Sequence, residues 1–190
     1  KDVSGRDLSF LKTAAQTDKV VAIGETGLDF HYTYSEAGEQ KEVFGAQLAI
    51  AAELALPVVV HSRNAFNDTM QILGQFAGAL KGVVIHCFSG SADQAQVILK
   101  RGYYISFTGM VTFKKNVDET IEAAKIVPFD RMMVETDCPY ISPEPVRNKK
   151  PCEPAFLVHT AKKLAELKGM DFPDFAREAT ATSRNFFGLE

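Results

Sequence analysis

Cysteine is scarce in this chain and unpaired in pattern. Three are present, Cys87, Cys138 and Cys152, with no CxxC spacing. That excludes a disulfide framework and points to reduced thiols in a cytoplasmic protein. Long apolar runs are also missing. None approaches the roughly 18–20 residues of a membrane span. The opening Lys1–Asp7 has the pattern of neither a signal nor a transit peptide, and without an initiator Met it reads as a processed end, a boundary or a cut.

Charge of one sign is equally lacking. Lys and Arg number 21 against 24 Asp and Glu, for a net charge of -3. No basic field gathers a polyanion, which excludes a general nucleic-acid coat. A nucleic-acid substrate would need a local attraction, from bound metal ions or a small basic patch. The one compact basic cluster is Arg147, Lys149 and Lys150, and the ordinary reading of such a run is a solvated loop. There is no internal repeat, low-complexity tract or linker. A composition 46% hydrophobic and 24% charged excludes disorder. Residues 1–190 read as a single domain.

What is present is an alternation. Short apolar runs rich in β-branched residues start near Val20, Pro57, Gly82, Tyr103 and Arg131. The mean step of about 28 residues is that of one βα unit. The runs are continuously apolar, as in strands of a parallel sheet covered on both faces. Amphipathic stretches predict helices over Lys41–Leu54, Asn67–Phe76, Ser91–Arg101, Ala155–Lys168 and Pro173–Phe187, with Ser91 as N-cap and Gly102 as C-cap. Five units in a row predict a parallel α/β architecture.

The informative residues close these strands. Glu25 follows the first, His61 ends the second, His86 ends the third, and Asp137 follows the fifth, near Glu135. In a parallel α/β fold the strand C-termini share one face, so these four are expected to converge. Each alone has an ordinary explanation, a satisfied histidine or a capping carboxylate. Together they are two carboxylates and two imidazoles, the donors of divalent metals such as Zn²⁺ and Mn²⁺. Charges closing buried strands cost several kcal/mol unless paired or metal-bound. Such a metal would acidify a bound water towards a pKa of ~7, with Asp137 both ligating and managing its proton. Arg63, just past His61, is placed to contact an anionic substrate.

At these residues the chain resembles the TatD family of metal-dependent deoxyribonucleases. The resemblance lies in whole phrases: Ala22-Ile23-Gly24-Glu25-Thr26-Gly27-Leu28-Asp29, Val60-His61-Ser62-Arg63, His86-Cys87-Phe88-Ser89-Gly90, Tyr104 through Phe113, and Val134-Glu135-Thr136-Asp137-Cys138-Pro139-Tyr140. The loop with Arg147 and Glu153-Pro154-Ala155, and the ending Ser183 to Gly188, are also similar. The resemblance runs from about Val20 to Leu189 and implies a TIM-barrel hydrolase with one or two divalent metals (Mg, Mn or Zn), acting on DNA as a 3′→5′ exonuclease or an endonuclease. It makes Glu25 a metal ligand that bridges where two metals bind, His61 and His86 ligands of one metal, and Asp137 the ligand of the other and the residue that orients or deprotonates the water. Glu25 and Asp137 are thus the catalytic candidates, and Arg63 and Arg147 the substrate contacts. Glu135 receives no ligand role and reads as part of the barrel wall.

Two departures stand out. The family's first strand ends in a His-x-His pair that holds one metal. Here the four histidines are His31, His61, His86 and His159, and no two are two apart. Where the family reads His-Arg-Gly, this chain reads Val146-Arg147-Asn148, which bears on a substrate contact rather than on the metal site. The expectation is a TIM barrel truncated to its last five βα units, about 70 residues short of eight. The full barrel would be a monomer. The open sheet edges of a truncated one would invite self-association. The alternatives are a metal-dependent hydrolase of amide, lactone or aminoacyl-ester substrates, and a truncated, non-catalytic binding or assembly module.

Overall fold

The computed structural model describes residues 8–32 and 34–189. The opening segment, read above as no targeting peptide, lies outside the described residues. The chain divides into two compact units. The first runs to Ile85 and takes in Phe186–Gly188; the second is His86–Asn185 with Leu189.

In the first unit a short helix α1 (Ser9–Ala14) precedes strand β1 (Ile23–Asp29), helix α2 (Ala37–Glu53), strand β2 (Val58–Arg63), helix α3 (Phe66–Gln75) and strand β3 (Val83–Ile85). β2 pairs in parallel with both β1 and β3. Leu28, Val58, Val60, Val83, Val84 and Ile85 are buried in these strands. Phe44, Leu48, Ile50 and Ala51 form the buried stripe of α2. Each such large apolar side chain contributes roughly 1.5–3 kcal/mol relative to exposure.

The second unit holds helix α4 (Ala92–Lys100), strand β4 (Tyr104–Phe107), helix α5 (Asp118–Ile126), strand β5 (Met132–Val134), helix α6 (Leu157–Leu167) and helix α7 (Phe172–Phe187), whose last two residues belong to the first unit. β4 and β5 are parallel, with Phe107 opposite Val134. Ile98, Ile105, Phe107, Met132, Leu164 and Phe175 are fully buried. The expected N-cap of α4 is present as a reciprocal capping box between Ser91 and Gln94. Gly102 follows with φ +75°, the left-handed position that glycine accepts without penalty.

Two expectations are corrected. The first strand was expected to end at Gly24, but it begins at Ile23 and continues to Asp29. Glu25 therefore lies inside β1 rather than after it. Hydropathy misses the continuation because Glu25-Thr26-Gly27 is polar. What holds it extended is parallel pairing to β2, with Gly27 opposite His61, and a hydrogen bond from Thr26 Oγ1 to Gln47 of α2. His61 likewise sits inside β2, with Ser62 and Arg63 after it in the strand. α1 and α5 were not anticipated. The buried residues of α5 are only Thr120, Ala123 and Ala124, too small to make a conspicuous apolar stripe. No helix among the described residues is long and apolar enough to cross a membrane.

Candidate functional site

Each unit carries one histidine bound to carboxylates. In the first, β1 and β2 run side by side and place Glu25, Asp29 and His61 together. His61 Nδ1 lies 2.9 Å from Glu25 Oε1 and its Nε2 lies 3.0 Å from Asp29 Oδ2. The close register requires Gly27. A Cβ there would stand 2.0 Å from the His61 carbonyl oxygen, and its φ is +137°. Asp29 is fixed in turn. Its Oδ1 accepts the backbone N–H groups of His31 (2.9 Å) and Tyr32 (3.1 Å). Gln40 of α2 clasps the Asp29 main chain, accepting its N–H at 2.8 Å and donating to its carbonyl at 3.0 Å.

These contacts set the protonation of the group. Glu25's hydrogen bond holds the His61 proton to a higher pH than usual; burial opposes this less strongly, and the charge of Glu25 and the bond and charge of Asp29 add to the rise. Burial alone would raise the Asp29 pKa, but the N–H groups of Tyr32 and His31, with His61, bring it below the ordinary value. An open cleft of about 370 Å³ lies over the group, lined by Glu25, Thr26, Gly27, Asp29, Gln40, Gln47 and His61.

In the second unit His86 follows β3 directly, and Glu135 follows β5. His86 Nδ1 lies 2.7 Å from Glu135 Oε2, and its Nε2 faces Asp137 Oδ1 at 3.5 Å. A carboxylate only accepts, so Nδ1 donates to Glu135, and Nε2 is the nitrogen turned towards Asp137. Glu135's other oxygen accepts the Cys87 N–H at 2.8 Å. Cys87 turns there with φ +48°, a left-handed backbone that non-glycine residues seldom adopt, and its Sγ lies 3.4 Å from Thr108 Oγ1. The His86 side chain is only 10% exposed, against 30% for His61.

The structure thus brings Glu25 together with His61, and His86 together with Asp137. Glu135, expected to be part of the wall, is the hydrogen-bonding partner of His86. Asp29 and Gln40 were missed. Asp29 stood in the Gly-Leu-Asp phrase, but nothing local announces a partner 32 residues away across a strand pair. Arg63 closes β2 with its guanidinium over the Tyr32 ring, 5.0 Å from the centroid. Arg147 is exposed and lies over Phe113 at 3.3 Å.

A family model described as TatD related DNase matches residues 2–188. The chain is 41% identical over 188 residues to the Uncharacterized metal-dependent hydrolase YabD of Bacillus subtilis (strain 168), spanning 99% of this chain and 73% of that protein. It is 36% identical over 189 residues to the 3′-5′ ssDNA/RNA exonuclease TatD of Erwinia tasmaniensis, spanning 98% of this chain and 73% of that protein. Among solved structures it is similar to YJJV, a TatD homolog from Escherichia coli K12, with a TM-score of 0.86 and 26% identity over 95% of this chain and 68% of that one.

Proposed function

The chain belongs to the TatD related DNase family, and from that premise we propose that it is a metal-dependent hydrolase of phosphodiester bonds, removing nucleotides from the 3′ end of single-stranded DNA. The observation that carries the reading is His86, its Nδ1 committed to Glu135 and its Nε2 aimed at Asp137. A histidine so oriented is built to offer one nitrogen to a metal. The direction and substrate are supported by the exonuclease name of the Erwinia relative.

The donor chemistry fits a divalent ion. Carboxylate oxygen and imidazole nitrogen suit Mg²⁺, Mn²⁺ and Zn²⁺ in different proportions. Two ligands at about 2.1 Å on a tetrahedral ion stand about 3.4 Å apart. The His86–Asp137 pair is 3.5 Å apart and the Glu25–His61 pair 2.9 Å, so small side-chain shifts would let each pair share an ion. Bound there, a divalent ion supplies an acidified water and stabilises negative charge on phosphate oxygens. Glu25, His61, His86 and Asp137 are the proposed ligands. Asp137 orients the attacking water and takes its proton. Glu135 holds the His86 ring, and Asp29 holds His61. Arg63 and Arg147 offer positive charge to the phosphates of the strand. The five parallel strands are taken as part of one β/α barrel domain.

The test is hydrolysis of a labelled single-stranded oligodeoxynucleotide with Mg²⁺, Mn²⁺ or Zn²⁺, beside a lactone and an aminoacyl ester. Metal-dependent shortening from the 3′ end is expected, with His86→Ala losing more than the roughly 10- to 100-fold typical of a residue behind a ligand. A parent that turns over only the ester or lactone, or a His86→Ala variant as active as the parent, overturns the reading.

A further inference from the structure

The loop after β1 carries a feature that metal chemistry does not use. Tyr32 and Tyr34 stack face to face, centroids 5.3 Å apart and planes 12° from parallel. The Arg63 guanidinium covers Tyr32 from 5.0 Å, and His31 meets the Tyr32 ring edge-on at 4.7 Å. The rings remain in solvent, Tyr32 45% and Tyr34 70% exposed. Tyrosines recruited for packing bury their rings; these two extend outward from a cation. The stack is also tied to the His61 group, since Asp29 accepts the Tyr32 and His31 N–H groups with one oxygen and faces His61 Nε2 with the other. An aromatic stack of sequence-independent chemistry beside an arginine is the way proteins hold single-stranded nucleic acid, by stacking on a base while a cation follows the phosphates.

We propose that Arg63, Tyr32 and Tyr34 form a base-stacking platform for single-stranded nucleic acid, with Tyr34 receiving the base and Arg63 supporting the stack and the adjacent phosphate. This rests on the phosphodiesterase reading above and adds to it how the strand is gripped. Stacking accepts any base, so the platform sets a preference for unpaired over paired strands rather than for a sequence. A base in a duplex is already stacked on its neighbours and cannot reach the ring without being pulled out.

The test separates binding from turnover. Anisotropy of a fluorescein-labelled oligo(dT) is measured in EDTA for the parent, Tyr34→Ala and Tyr34→Phe, and for the same oligonucleotide carrying abasic sites. Tyr34 is exposed, and a circular dichroism melt confirms that each variant is folded. The expected result is about tenfold weaker binding for Tyr34→Ala, near-parental binding for Tyr34→Phe, and a penalty for abasic sites in the parent that vanishes in Tyr34→Ala. Equal affinity of parent and Tyr34→Ala, or a parent that does not bind the oligonucleotide, overturns the platform. If Tyr34-dependent binding is found but no metal restores hydrolysis, the platform stands and the phosphodiesterase reading falls. If hydrolysis is found and Tyr34→Ala binds as the parent does, the reverse holds.

Discussion

The two histidines differ in how they are held, and the difference separates two ways of preparing a proposed ligand. His86 is nearly buried, with Glu135 close on Nδ1 at 2.7 Å and Asp137 further from Nε2 at 3.5 Å. Glu135 takes Nδ1 and also the Cys87 N–H, so ring and following backbone are fixed by one carboxylate. His61 is more exposed and has a carboxylate within 3.0 Å of each nitrogen. Only a doubly protonated imidazole satisfies both as a donor. As proposed ligands, His86 is oriented in advance by Glu135, whereas His61 would exchange a proton and a close hydrogen bond for a metal.

Three substitutions sharpen or break that contrast. The largest effect is expected from Gly27→Ala, which acts on the first unit alone. The added Cβ collides with the His61 carbonyl in a backbone conformation that alanine resists. A loss of about 3 kcal/mol in urea unfolding is expected; a loss below about 1 kcal/mol would show that β1 and β2 are not held in this register.

Next is Glu135→Gln. An amide can still accept from His86 or from Cys87, but its NH₂ end cannot accept from the other. Metal affinity by isothermal titration should fall roughly 10- to 100-fold. An unchanged affinity would mean that His86 needs no orienting partner.

The smallest effect is expected from Asp29→Asn. His61 keeps Glu25, its main partner, and loses one charge and the acceptor role of one oxygen. NMR titration of the ring in EDTA should show its pKa still above the ordinary value but lower than in the parent. The sign for metal binding follows. A raised pKa means that protons compete at higher pH, so affinity at His61 falls as pH drops through that pKa. The Asn variant should carry this loss to lower pH. A pKa that does not move would remove Asp29 from the group.

Much of the fold is legible in the amino-acid sequence. Apolar runs at regular steps marked β2 through β5, and Ser91 and Gly102 bounded α4 through local capping and backbone chemistry. β1 was misplaced because pairing and Gln47, not hydropathy, keep Glu25-Thr26-Gly27 extended. α5 escaped because its buried residues are alanines and a threonine. Of the site, ligand-type residues after apolar runs were visible, since a charge next to a buried strand is conspicuous in one dimension. Their partners were not. Asp29 and His61 meet through the β1–β2 register, and His86 and Glu135, 49 residues apart, meet in the folded second unit.

Residue types and spacing were sufficient for the α/β class, the strand–helix rhythm and the family, because propensity, periodicity and motif chemistry are local or nearly so. Which nitrogen of each histidine is occupied, that Glu135 braces rather than merely lines, and that Arg63 lies on an exposed tyrosine stack came from folding alone. Each of those depends on side chains far apart in sequence reaching hydrogen-bond or van der Waals distance, and those forces fade within a few ångströms.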